Sequence, residues 1–331
     1  MMSIDNLIGD GFRGCVLICE EGKTIFEKSY GYADLPNKIP NEIDTKFATA
    51  SAGKVFVAVG VLQLIEKGLL NFDDEIGDIL DFNLKQINLA ITVEELLTHT
   101  SGIPDYFDES VMDEYEELWT DFPNYKIRSN NDLIPLFINK PMLYPHGSKF
   151  QYNNTGFVVL AMIIEKITQT LFDKYLKQNI FVPCGMVDTD YYELDRLPAK
   201  CATNYIYDKE RNEYRTNIFS VDAKGTGAGG AFTTVNDIKS FWNYLMSGKM
   251  LSKEMMAKML SNHSGEAQCY GYGIWLKKDG NIFIPYFQGS DPGVSFISSY
   301  DIQKKLLIVL VSNYGDDVWK QHGNLIEHFA K

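Results

Sequence analysis

The sequence predicts an α/β (α+β) fold in which one antiparallel sheet is built from both chain ends and flanked by helices, with a mainly helical domain inserted between them. Three observations predict it. Strand-like segments cluster near both termini, helices and loops dominate from about Ile91 to Gly229, and several helix-length runs are apolar on most faces. A sheet that needs both ends of the chain is not one of two beads on a string. The expected division is therefore a sheet domain over 1–90 and 230–331, and a mainly helical domain over 91–229.

The elements follow in order. "GCVLICE", a turn at "EGK" and "TIFEKSYGYA" read as a hairpin. A helix is expected from Ser51 to Lys67, stopped by Gly68, and its all-round apolar character predicts burial on most sides. Thr92 and Glu95 in "TVEELLTHT" have capping-box spacing. "TGFVVLAMIIEKIT" is a second apolar helix beginning just after "YNN", and "TTVNDIKSFWNYLMSG" a third, with Gly248 as its stop. Strands then return: "CYGYGIWLKK" and "NIFIPYF" flank an Asp279-Gly280 turn, and "GVSFISSY" and "KKLLIVLVSN" make a second pair. "DVWKQHGNLIEHFA" closes with a helix. No internal repeat or low-complexity linker interrupts this order.

Composition narrows the functions. The 331 residues suffice for a large core. Forty-four acidic against 31 basic residues give a net charge of −13, with no Lys/Arg cluster to offset it, so nucleic acid is not an expected partner. The plain reading of that charge is solubility. The five cysteines (Cys15, Cys19, Cys184, Cys201, Cys269) are odd in number and form no C-x-x-C pair, so no zinc site is expected. Cys15 and Cys19 share one strand, too far apart along it to bridge, and reduced buried thiols suit a cytosolic protein. "MMSIDNLIGDGFRG" lacks the basic flank and apolar centre of a secretion signal. The longest apolar run, Val55 to Ile65, is broken by Gln63 and too short for a bilayer. The expectation is a cytoplasmic chain without a membrane anchor; an envelope location would follow only if a leader had been removed.

Chemistry is suggested first by Ser51 and Lys54 in "TASAGKVFVAVG". Three residues apart on a helix, they share a face, so the amine reaches the hydroxyl. Free N–H groups at the helix start favour a developing oxyanion. A lysine among apolar neighbours loses its proton more easily than its usual value of about 10.4 implies, as a general base requires. Alone the pattern is weak, because about one S-x-x-K arises by chance in such a chain, and a helix start with a solvated lysine explains it as well. "FQYNNTGF" adds Tyr152, whose phenol can relay a proton, and Asn154, whose carboxamide can meet a substrate amide; a packed ring and a helix N-cap are the bland alternatives. "YFQGSDPGVSF" adds Gly289, which lets an extended substrate approach a strand, and the backbone N–H of Ser290 as a second oxyanion donor beside that of Ser51. Read by its letters alone, that stretch is a Gly/Pro turn at the join of two strands.

Together and in this order, the three boxes resemble the serine β-lactamase and penicillin-binding protein superfamily, in its class C-like branch with D,D-peptidase and esterase relatives. "LLTHTSGIPDY", "FVPCGMVDT" and "GAGGAFTTVNDIKSF" resemble family linker segments, and the likeness runs from about Gly14 to Asn313. It implies Ser51 as the acylated nucleophile, Lys54 as its partner amine, Tyr152 as the catalytic tyrosine, Asn154 as a substrate-amide ligand and Gly289 as the glycine of the third box. It implies the β-lactamase/transpeptidase-like fold, an active site at the interface of the two domains, no cofactor or metal, and a small-molecule or short-peptide substrate.

The third box departs from the pattern. Lys or His is usual where this chain has Phe287, followed by Gln288 and Gly289. The cation that helps to hold a substrate carboxylate is missing, and an apolar ring cannot replace it. Esterases of this fold often carry an aromatic residue there, so the expected substrates are small esters, or amides and D-amino-acid peptides, with Phe287 among the substrate contacts. β-Lactamase or D,D-carboxypeptidase action would need another cation, for which Lys149 and Lys224 are candidates, and a non-catalytic penicillin-binding sensor is the third reading. "THTSG" suggests a Ser–His pair through Ser101 and His99, but no G-x-S-x-G elbow accompanies it. His146 in "YPHGSKF" reads as a turn residue.

Overall fold

The computed structural model describes residues 3–81, 85–265 and 268–330. The two N-terminal methionines and Lys331, included in the expected sheet domain, lie outside them.

Six antiparallel strands form the sheet: β1 (Gly14–Glu20), β2 (Lys23–Tyr30), β3 (Trp275–Asp279), β4 (Ile282–Asp291), β5 (Val294–Asp301) and β6 (Leu306–Ser312), in the order β2-β1-β6-β5-β4-β3. The chain ends meet where β1 pairs with β6, from Gly14 opposite Ser312 to Glu20 opposite Leu306. Side chains alternate across a strand. Cys15, Leu17 and Cys19 therefore enter the main core, while Val16 and Ile18 enter a second core beneath the C-terminal helix. Both faces are covered, which is why β6 is buried at all seven positions and reads as an unbroken apolar run.

Four longer helices matter for the site: α1 (Lys54–Glu66), α2 (Asn154–Thr168), α3 (Val235–Met246) and α4 (Val318–Phe329). α1 is buried continuously from Lys54 to Leu62 and packs on α2, so it has no polar stripe to show. α3 covers the face of the sheet that meets the main core, and its Trp242 indole N–H donates to Ser298 Oγ at 2.8 Å. α4 covers the opposite face through Val318 and Leu325. The Thr92/Glu95 capping box forms as expected. Cys15 and Cys19 both lie on β1, and all five cysteines are free. No single described helix is long and apolar enough to cross a bilayer.

The structure corrects the element boundaries in three places. The expected Ser51–Lys67 helix is a 3₁₀ turn over Ala50–Gly53 followed by α1 from Lys54. Ala50, in the left-handed region at φ 48, turns the chain tightly into it. The strand expected from Cys269 begins only at Trp275, because Gly273 (φ 69) folds Tyr270 back onto Trp275. The middle stretch also carries a hairpin, Tyr205–Asp208 paired with Glu213–Thr216. The main core runs without a break from the sheet into this stretch.

Candidate active site

Ser51 lies in the 3₁₀ turn, where side chains three apart eclipse one another, so Lys54 stands directly over it. Lys54 Nζ is 2.9 Å from Ser51 Oγ. The same nitrogen donates to Asn154 Oδ1 at 2.8 Å and to the Ala228 carbonyl at 2.5 Å. These two acceptors take two N–H groups, which aims the third position of a neutral amine, its lone pair, at the serine hydroxyl. Lys54 is 2% exposed. That burial draws its pKa down to about 8, against the attraction of Glu109, Asp105 and Asp291.

Tyr152 moves the other way. Burial, then the charge of Glu109, pushes its phenol well above the ordinary value, while a hydrogen bond with Ser51 pulls back. Its ring lies under Lys54 Nζ, 5.0 Å from the centroid, between His99 (4.5 Å) and a stacked Trp275 (5.9 Å). One environment thus holds the amine ready to lose its proton and the phenol ready to keep it. Such an environment suits a base at Lys54 and an acid at Tyr152.

Asn154 is the first residue of α2, and the N-cap is its neighbour Asn153, whose Oδ1 accepts from Gly156 N–H at 2.8 Å. The Asp105 carboxylate accepts from the backbone N–H groups of Asn154 and Thr155 at 2.8 and 3.0 Å. Asn154 Nδ2 donates to the Phe107 carbonyl at 3.1 Å, so its Oδ1 is fixed toward Lys54.

Gly289 is inside β4 rather than at a strand join; the turn is Pro292-Gly293, beyond Asp291. A Cβ at 289 would sit 2.3 Å from the Thr49 carbonyl oxygen and 2.7 Å from Ser51 N, so only glycine lets the strand close on the turn. Asp291 pairs with Val294 across a two-residue loop. That closing pair is hydrogen-bonded, so by alternation the N–H and C=O of Ser290 face the outer edge of β4. β3 pairs with β4 only from Ile282 to Tyr286, which leaves that edge open to the cleft. Ser51 and Ser290 both line this cleft.

Phe287 is a correction. It is 3% exposed, stacks on Trp242 (5.2 Å) and Phe296 (5.9 Å), and does not line the cleft. An apolar ring on the helix-covered face of β4 joins the core instead of meeting a ligand. Phe287→Ala is accordingly expected to cost about 3–5 kcal/mol in urea unfolding, the range for emptying a buried aromatic site. KM should change little; a raised KM at unchanged stability would restore Phe287 as a substrate contact. The two candidate cations do not substitute either: Lys224 Nζ pairs with Asp173 at 2.7 Å and Lys149 lies over the Tyr144 ring, and neither lines the cleft.

His99 and Ser101 form no catalytic pair. His99 Nδ1 accepts from Asn153 N–H at 3.1 Å and Nε2 meets Tyr270 Oη at 3.1 Å. Burial and Lys54 hold the ring neutral, and it positions Tyr152 and the start of α2. Ser101 Oγ accepts from Ile103 N–H at 3.3 Å. His146 is engaged by Glu95 at 2.9 Å. Sequence reasoning missed the Ala228 carbonyl, Asp105 and the positioning role of His99. The only signal for them was their place in "GAGGAF", "GIPDY" and "THTSG".

The cleft over Ser51 has a volume of about 790 Å³, enough for a short peptide. No cluster of His, Cys, Asp or Glu among the described residues is arranged to hold a metal.

A family model described as Beta-lactamase matches residues 6–326. The chain is 29% identical over 324 residues to penicillin-binding protein 4* of Bacillus subtilis, covering 92% of this chain and 69% of that protein. A solved penicillin-binding protein from Bacillus halodurans is 35% identical with a TM-score of 0.94, covering 99% of this chain and all 100% of that one. D-amino acid amidase from Ochrobactrum anthropi, at 22% identity and a TM-score of 0.82, covering 99% and 97% of the two chains, shares the fold.

Proposed function

This chain belongs to the β-lactamase family, and on that premise we propose that it is a serine hydrolase. It forms an acyl-enzyme on Ser51 from small esters, or from amides and D-amino-acid peptides. The observation that carries the reading is the 2.9 Å approach of Lys54 Nζ to Ser51 Oγ, with the other two directions of the amine occupied. Neutral Lys54 takes the Ser51 proton as Oγ attacks the carbonyl carbon. The carbonyl oxygen, now negative, lies between the N–H groups of Ser51 and Ser290. Tyr152 gives its proton to the leaving nitrogen or oxygen and recovers it through Lys54, and Asn154 fixes Lys54 through Oδ1, whose second lone pair is left for a substrate N–H. Water then attacks the ester on Ser51 and releases the acid.

Amides are favoured by the names of the structural neighbours, a D-amino acid amidase and a D-stereospecific amidohydrolase. The β-lactamase or D,D-carboxypeptidase reading lacks its cation, since Arg215, the one cation among the described residues lining the cleft, pairs with Glu116 at 2.8 Å. Five unbridged cysteines support a reducing, cytoplasmic setting.

A fluorophosphonate probe is expected to label Ser51 in the folded protein and to leave Ser51→Ala unlabelled. A short-chain nitrophenyl ester should be turned over faster than a chromogenic cephalosporin. A folded sample that resists the probe ends the hydrolase reading, and lactam turnover without ester or amide turnover replaces it with the β-lactamase one.

A further inference from the structure

The cleft beside Ser51 is acidic. Among the described residues that line it, Glu109, Asp113, Glu114, Glu116, Asp222 and Asp291 are carboxylates, and Arg215 is the one cation. Arg215 is held by Glu116 and also donates to Ser220 Oγ at 3.1 Å. A substrate carboxylate entering here meets six acidic groups against one cation that is already paired.

The acceptors gather at one end, next to the oxyanion opening. Asp291 is two residues beyond Gly289 on β4 and so shares its face, one strand repeat of roughly 6–7 Å from the point where Gly289 touches the Ser51 turn. Asp222 accepts from the Tyr115 hydroxyl at 3.2 Å and is close enough to Asp291 to feel its charge. Burial, foremost, raises the pKa of Asp291 to about 7 and that of Asp222 to about 8. Neither carboxylate has a lysine or arginine ion-pair partner within 4.0 Å among the described residues.

An independent observation points the same way. Asn204 lines the cleft at 4% exposure, and its Oδ1 has no hydrogen-bond partner. It is fastened to the same end of the cleft: its carbonyl accepts from Asn217 N–H at 3.1 Å, and Asn217 Nδ2 donates to the Pro292 carbonyl at 2.9 Å. A buried side-chain amide left without a partner is costly, and this one belongs to a residue at the cleft wall, where a ligand can supply the missing partner. The carbonyl of Ser290, turned to the open edge of β4, is a further acceptor nearby.

We propose that this end of the cleft is an ammonium subsite, so that the acyl group transferred to Ser51 carries a free amino group, held by Asp291 and Asp222 beside the unpartnered amide of Asn204. Three N–H donors and one positive charge match this set of acceptors, and an alkyl or acylated nitrogen does not. With the substrate carbonyl between the N–H groups of Ser51 and Ser290, an amino group on the adjacent carbon reaches the edge of β4 at Ser290 and Asp291. The enzyme then works from the amino end of its substrate: the bond broken joins an unblocked aminoacyl group to its amine or alcohol. The ammonium stays outside the bond changes. This inference rests on the acyl-transfer reading of Ser51 and adds its substrate class.

The test is a charge series on one leaving group: alanine 4-nitroanilide with its amine free, N-acetylated or N-succinylated, in D and L forms. The free-amine substrate is expected to exceed the acetylated one at least tenfold in kcat/KM, and the succinylated one to be slowest. Asp291→Asn, and separately Asp222→Asn, should shrink the ratio of free to acetylated rates by tenfold or more, whatever each does to the absolute rate. Equal rates for free and acetylated substrates overturn the subsite, as does turnover of none of the six by a protein whose Ser51 is labelled by fluorophosphonate. Loss of labelling itself, in a folded sample, reports failure of the hydrolase reading instead.

Discussion

Lys54→Met is expected to lower kcat/KM for a nitrophenyl ester by about 10³-fold, within the range for removing a positioned general base. It should also abolish one limb of the pH profile. In the wild type the base is active when neutral, so kcat/KM should climb with pH and level off above about 8, the value to which burial brings this amine. The same shift predicts a stability effect of defined sign. Between about 8 in the folded chain and 10.5 in the unfolded one, the unfolded chain binds the extra proton, so stability increases as pH rises through that window. The amount is on the order of 3 kcal/mol at full development, from about 1.4 kcal/mol per pKa unit. Buried tyrosines such as Tyr152 work against it above about pH 10, because the folded chain keeps their protons. The quantity to read is therefore the difference between wild type and Lys54→Met in urea unfolding at pH 7 and pH 9.5. A variant that keeps the alkaline climb in kcat/KM, or a difference that does not change with pH, would remove Lys54 as the buried base.

The boxes to which this chemistry is assigned are legible in the sequence because each is local. Ser51 and Lys54 sit one turn apart, Tyr152 and Asn154 two residues apart, and Gly289 and Ser290 are adjacent. Local spacing also points to the sheet, since β1 and the β4–β6 strands are largely apolar runs bounded by turns. It could not distinguish a 3₁₀ turn from the first turn of an α-helix at Ser51, because both place residue i+3 over residue i. Phe287 was misplaced for a similar reason. Period two puts it on the same face as Gly289, but only the tertiary structure shows α3 covering that face at Trp242 and the Ala50–Gly53 turn covering it one repeat later. What remained hidden depends on distant partners. The Ala228 carbonyl is 174 residues from Lys54 in the chain, and Asp105 is 49 from Asn154. A backbone oxygen has no letter of its own, and a carboxylate serving two N–H groups looks like any loop aspartate.

Gly289→Ala tests whether the close approach of β4 to the nucleophile turn creates the oxyanion opening. The added methyl would lie 2.3 Å from the Thr49 carbonyl oxygen, 2.6 Å from Ala52 N and 2.7 Å from Ser51 N. All three contacts are backbone, so no rotamer change relieves them. Either β4 or the Ala50–Gly53 turn must move, and the N–H groups of Ser290 and Ser51 lose their common focus. Misplacing one oxyanion donor costs about 10²–10³ in kcat, so kcat should fall by that factor, with a stability loss of about 1–3 kcal/mol from overpacking. Gly323→Ala supplies the matched control: it makes the same chemical change inside α4, where a Cβ meets nothing within 4 Å. There alanine should leave kcat unchanged and stabilise the helix by up to about 1 kcal/mol. The two variants separate the intrinsic effect of replacing glycine from the effect of prising the strand off the turn. If Gly289→Ala kept wild-type kcat, catalysis would not depend on this contact, and the oxyanion would have to be held by groups other than the N–H pair of Ser51 and Ser290.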